Sequence, residues 1–128
     1  MGLFFLSIWE NRNFETPEKV LDAYLSEVKQ RPYSFEKAIG YVDKSNLDDE
    51  FIQALKQEST DSDAPTYMQY NFTEQSIESS NEKASIRVEF IYGSDYSTIT
   101  TFHLKKDNGD WKLDLQNIQE EFYSVTND

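Results

Sequence analysis

The chain has 128 residues, and its 24 acidic against 12 basic side chains give a formal net charge of −12. Such a surface repels phosphate backbones and anionic membranes, which argues against nucleic acid as a partner and leaves a basic protein compatible. There is no cysteine and one histidine, His103. Disulfides, thiolate chemistry and a structural zinc centre are therefore set aside, no EF-hand spacing appears, and no metal or cofactor is expected.

Met1 to Trp9 is almost wholly apolar before Glu10-Asn11-Arg12-Asn13 interrupts it. Nine residues fall short of the ~20 that span a bilayer, and no basic n-region precedes them. Two readings stand: the trailing end of a membrane anchor or signal segment, or an apolar element that packs on the domain or on a second copy. Residues 1–15 are accordingly set apart from a single domain over 16–119. Any membrane attachment is assigned to this N-terminal segment.

Thr16-Pro17 predicts a helix start, with a hydroxyl cap followed by proline at the first helical position. Val20, Leu21, Tyr24, Leu25 and Val28 make one apolar stripe behind it, and Pro32 ends it. Ser34 caps a short second helix with Phe35, Ala38, Ile39 and Val42 as its apolar positions. Ser45 or Asn46 is expected to cap a third, with Leu47, Phe51, Ile52 and Leu55 inward and Asp48 and Asp49 near its positive end. The polar run Gln57 to Pro65 reads as a loop.

Four strands follow. Met68, Tyr70 and Phe72 alternate with polar residues, and the opposite parity of Ile77 predicts a bulge or bend between Thr73 and Ser76. Ala84, Ile86, Val88, Phe90 and Tyr92 form the second period-two run, and Thr98, Thr100, Phe102 and Leu104 the third. Trp111, Leu113 and Leu115 form the fourth. Asn108-Gly109 predicts a two-residue type I′ hairpin, which sets Lys106 opposite Trp111, Leu104 opposite Leu113 and Phe102 opposite Leu115. Residues 120–128 read as a polar C-terminal tail.

Helices followed by an antiparallel meander predict an α+β fold, with N-terminal helices packed on a curved antiparallel sheet of about four strands. Thr16-Pro17-Glu18-Lys19-Val20-Leu21-Asp22-Ala23-Tyr24-Leu25 resembles the opening of the nuclear transport factor 2-like superfamily, in particular its small bacterial extracytoplasmic members. Phe102-His103-Leu104-Lys105-Lys106-Asp107-Asn108-Gly109-Asp110-Trp111-Lys112-Leu113 resembles the final hairpin of the same group. The resemblance spans 16 to about 118 and implies a cone with a pocket between helix and sheet. Some members are enzymes, and many are binding, secretion-associated or immunity proteins. Members of the bacterial branch are often lipoproteins, and the absence of cysteine departs from that pattern.

The aromatic residues Tyr24, Tyr41, Tyr70, Phe90 and Phe102 are the candidates to line such a cone. The carboxylates Asp48, Asp49, Glu50, Asp61 and Asp63 are the candidates to meet a basic protein partner. The hairpin register puts His103 across from Asp114, but Lys105 opposite Lys112 on the same face marks that face as solvated, so no catalytic residue is assigned. The leading expectation is a non-enzymatic protein-interaction domain, extracytoplasmic or membrane-tethered. The alternatives are a cytoplasmic immunity or inhibitor protein, and a small-ligand binder or enzyme using the cone pocket. A homodimer through the sheet's outer face or through Leu3-Phe4-Phe5-Leu6 is a further expectation.

Overall fold

The computed structural model describes residues 14–126, so the apolar segment Met1 to Trp9 and the readings attached to it lie outside the described residues. Within these bounds the chain runs α1 (Pro17–Val28), α2 (Phe35–Ile39), α3 (Asp49–Ser59), β1 (Gln69–Ile77), β2 (Lys83–Ile91), β3 (Ser97–Asp107), β4 (Asp110–Asp114) and α4 (Gln116–Thr126). No helix among the described residues is long and apolar enough to cross a membrane.

The local signals act as their chemistry requires. Thr16 Oγ1 accepts from the Lys19 backbone N–H at 3.2 Å and Ser34 Oγ from that of Lys37 at 3.3 Å, so each hydroxyl satisfies one amide that the first turn leaves orphaned. Val20, Leu21, Tyr24, Leu25 and Val28 are all buried, and this stripe is what docks α1 on the sheet. α3 begins later than Ser45 or Asn46 would have it, at Asp49 behind Asp48. Ser45 is engaged elsewhere: its backbone N–H and its hydroxyl both donate to Asp43 Oδ1, which holds a turn ahead of the helix. Leu47 is left outside the helix and half-buried.

The sheet is a simple antiparallel meander, β1-β2-β3-β4. Asn108 and Gly109 have φ of 53° and 87°, the left-handed pair that a two-residue type I′ turn needs. They pair Lys106 with Trp111 and Leu104 with Leu113 as the sequence dictates. Phe102 does not pair with Leu115, because β4 stops at Asp114 and the chain turns into α4; Leu115 is nonetheless buried. The expected bulge is present, with a register shift between Phe72 and Glu74 that leaves Thr73 as the extra residue.

Two expectations on the flanks are corrected. Met68 is not an inward residue of β1: a bend there leaves it 63% exposed. Tyr67 takes the inward place, with its hydroxyl donating to Leu25 O at 2.7 Å. The larger ring buries more apolar area and its polar tip finds a partner, which decides the exchange. The stretch 120–128 is not simply a polar tail either, since α4 runs through Thr126. Ile118 and Phe122, one helical turn apart, form its inward stripe, with Phe122 against Phe51 at a ring distance of 5.5 Å. Gln119 is buried, and its Oε1 accepts from the Asp48 backbone N–H at 2.7 Å, tying α4 to the start of α3.

The two sheet edges differ. β4 is covered by the segment after α2, because Leu113 N–H donates to Tyr41 O and Asp43 N–H to Leu113 O, each at 2.8 Å. Among the described residues no strand pairs with the β1 edge, which carries the bulge and Glu74, features that discourage edge-to-edge pairing.

Candidate functional site

A cleft of about 360 Å³ opens between α1, α3, α4 and the end of the sheet where β2 meets β3. Its walls are apolar: Tyr24, Leu25 and Val28 from α1, Phe51 and Leu55 from α3, Phe90 and Phe102 from the sheet, and Leu115 and Ile118 at the turn into α4. Each is the inward residue of its own periodic run, so the cleft lies where the helices diverge from the sheet. An adjoining groove of about 510 Å³ continues between α3 and α4 past Ala54, Phe122 and Val125.

Polar groups gather on the side where α1 ends. Arg31 Nη1 donates to Gln30 O at 3.0 Å and to Val28 O, closing carbonyls that the end of α1 leaves open. Its Nη2 donates to Glu58 Oε1 at 3.0 Å, and its guanidinium lies 5.1 Å from the Tyr33 ring centre. Tyr33 N–H donates to Ser59 O at 2.9 Å, which fixes this loop to the last turn of α3. Burial, then the Tyr33 and Glu58 charges, raises the Tyr24 pKa above its usual value. Burial and Glu58 do the same for Tyr33. Both phenols therefore stay protonated and act as hydrogen-bond donors through neutral pH.

Of the five cone-lining candidates, Tyr24, Phe90 and Phe102 line this cleft. Tyr70 does not: its hydroxyl donates to Asp22 Oδ1 at 2.6 Å and lies 2.7 Å from Ser26 Oγ, so it clamps β1 to the outer side of α1. Burial, followed by the Asp22 carboxylate, pushes its pKa up to about 12. Tyr41 packs on Phe14 at 5.5 Å, beside the β4 edge, and is not among the cleft-lining residues. Arg31, Tyr33 and Glu58 were absent from the cone-lining residues expected from the sequence. Arg31 and Glu58 are separated by 27 residues and meet where the loop after α1 is bonded to the last turn of α3.

The acidic candidates do not form one patch. Asp48, Asp49 and Glu50 sit at the start of α3, Asp61 and Asp63 beyond its end, so an 11-residue helix of ~16 Å separates the two groups. Among the described residues no three histidine or carboxylate side chains are grouped to hold a metal ion.

On the outer sheet face a depression of about 380 Å³ contains a cross-strand row, Ser76–Ser85–His103–Asp114. Among the described residues no hydrogen bond joins His103 to either neighbour. Asp114 Oδ1 instead accepts from the Gln116 N–H at 3.1 Å, at the start of α4. The residue types of a nucleophile, a base and an orienter are present, but the bonds that would make them one are not. The next row on this face is Lys83–Lys105–Lys112, in which Lys105 pairs with Asp43 and Lys112 donates to Gly40 O at 2.8 Å.

The Asp43–Lys105 pair straps the segment after α2 to the sheet. Burial works against the charge on Asp43, but bonds from Lys105 and from the Ser45 hydroxyl and N–H outweigh it and lower its pKa to about 2. The hydrogen bond to Asp43 raises the Lys105 pKa. A depressed carboxylate stabilises the fold above its unfolded pKa, and that contribution is lost as pH falls through the folded value. A raised lysine contributes below its unfolded pKa and loses that contribution as pH rises through its folded one. The pair thus stabilises from about pH 4 to about pH 10. Asp43→Asn is expected to lower stability by about 2 kcal/mol at neutral pH, and urea titrations should show the difference from the parent shrinking toward pH 2. A constant difference across that range would contradict the assignment.

No family model matches the sequence, and no curated protein matches it. Two solved structures do resemble it. One is a Campylobacter jejuni protein provisionally named an NTF2-like transpeptidase: TM-score 0.55, 16% identity, covering 79% of this chain and 100% of its own. The other is a SEC-C motif-containing protein from Rhodopseudomonas palustris: TM-score 0.47, 14% identity, covering 78% of this chain and 76% of its own.

Proposed function

From the premise of a nuclear transport factor 2-like α+β fold, we propose that this domain binds a small apolar molecule in the cleft between α1, α3, α4 and the sheet, and that it acts by binding rather than by catalysis. The observation that carries this reading is the cleft's composition: an aromatic and aliphatic wall with Tyr24, Arg31, Tyr33 and Glu58 gathered at one end. An apolar wall with a few converging polar groups is the usual make-up of a ligand site, whereas a packed core at this place would be closed. The neutral solvatochromic dye prodan tests it. Saturable fluorescence enhancement at one dye per chain is expected, lost in Leu55→Trp, which fills the cleft, and kept in Ile99→Glu on the outer sheet face. No enhancement in the parent protein, or enhancement indifferent to Leu55→Trp, would end this reading.

A second reading, a protein-interaction domain, is favoured by a different observation. Met68, Tyr96 and Ile99 are each more than 60% exposed at the same end of the sheet, with Tyr92 beside Tyr96 at a ring distance of 5.4 Å. Apolar side chains gathered in this way suit a protein surface. Extracytoplasmic placement and a membrane tether belong to this second reading and rest on the segment Met1 to Trp9.

A further inference from the structure

We propose that the groove between α3 and α4 seats a basic amphipathic helix of a partner protein. This goes beyond the reading of the cleft and does not depend on it, because Ala54, Phe122 and Val125 line the groove and not the cleft.

Each wall of the groove is one face of a helix. α3 supplies Phe51, Ala54, Leu55 and Glu58, and α4 supplies Ile118, Glu121, Phe122 and Val125. Both sets fall at i, i+3, i+4 and i+7, so each wall is a row of neighbours along its helix. Gln119 meets α3 at Asp48 and Phe122 meets it at Phe51. These contacts, nearly a turn apart on each helix, set the two side by side. Above them the apolar rows are not closed over: Leu55, Ile118 and Phe122 are half-buried, and Val125 is 71% exposed.

A trough this open would leave much of a small molecule in water. An extended peptide would find no backbone partners, since helical walls spend their own N–H and C=O groups within the helix. A partner helix arrives with its backbone bonds already made, and its apolar stripe has the same spacing as the walls. α3 and α4 have 11 residues each, and their ~16 Å matches about three turns of such a helix.

Charge then decides the kind of helix. Glu58 and Glu121 interrupt the apolar rows, and Glu121 has no ion-pair partner among the described residues. The same two helices carry Asp49, Glu50 and Glu120 against Lys56 alone. A second copy, bearing the same net charge of −12, would meet like charge here. A helix with lysine or arginine beside its apolar stripe meets the opposite charge.

Three labelled peptides, titrated at physiological salt by fluorescence anisotropy, test this. The first has leucines at helical spacing on a lysine background, the second has the same composition with the leucines scattered, and the third replaces the lysines of the first by glutamate. The first is expected to bind about tenfold tighter than either of the others. Val125→Glu should weaken it about fivefold by removing apolar contact, although the added charge attracts lysine. Ile99→Glu on the outer sheet face should leave it unchanged. Equal binding of the scattered peptide would show attraction by charge alone and overturn the inference. So would no binding of the first peptide, parent-like binding by Val125→Glu, or a dimer of the parent that Val125→Glu dissolves in sedimentation. None of these results bears on the cleft, which Val125 does not line.

Discussion

Trp111→Ala is expected to lower folding stability by about 4 kcal/mol, within the range for removing a buried tryptophan. Trp111 is 2% exposed and is the first inward residue of β4 after the Asn108-Gly109 turn. Its ring belongs to the single core cluster, and its backbone N–H donates to Phe14 O at 3.0 Å, which attaches the chain entering α1 to the sheet. Truncation leaves a cavity at the hairpin end of the cone, where strand pairing limits collapse. The Lys106 ammonium, 5.9 Å from the ring centre, contributes little because it is exposed. Urea unfolding should show a lower midpoint with an unchanged slope, since the same surface is exposed on unfolding. A loss below about 1 kcal/mol would mean that the hairpin end is not part of the core.

Arg31→Met is expected to cost about 3 kcal/mol, and Glu58→Gln less than about 1 kcal/mol, although the two side chains form one ion pair. The asymmetry follows from their surroundings. Arg31 is nearly buried and serves Val28 O, Gln30 O, Glu58 and the Tyr33 ring together, so methionine keeps its apolar stem and forfeits every one of those bonds. Glu58 is 52% exposed, and water replaces what it loses. Thermal unfolding of the two variants side by side separates these outcomes. Equal effects would show that the ion pair, rather than the closure of the end of α1, is what Arg31 contributes.

These two positions also mark what the sequence makes legible. Trp111 is placed by local rules: a two-residue turn of fixed handedness and a period-two pattern leave one register that buries Leu104, Leu113 and Trp111 on the same face. The caps at Thr16 and Ser34 and the bulge at Thr73 are local in the same sense. α4 was within reach, since Leu115, Ile118 and Phe122 recur at helical spacing. The glutamates at 120 and 121 and the short apolar content masked it. Arg31, Tyr33 and Glu58 carry no local signal at all. A basic residue before a proline reads as a helix end, and a glutamate late in α3 reads as solvated surface. Only the docking of the loop after α1 on the last turn of α3 turns them into the polar end of a cleft. Tyr41 and Tyr70 went the other way: aromatic content selected them, and hydroxyl and ring partners outside the cleft hold them.

The most direct test of the cleft as the ligand site is backbone NMR mapping of prodan on the parent protein. Saturable shifts confined to Leu25, Phe51, Phe90, Thr100 and Ile118, with His103, Ser85 and Arg87 on the outer sheet face unmoved, are the predicted result. Shifts centred on that outer face, or none at saturating dye, would contradict it.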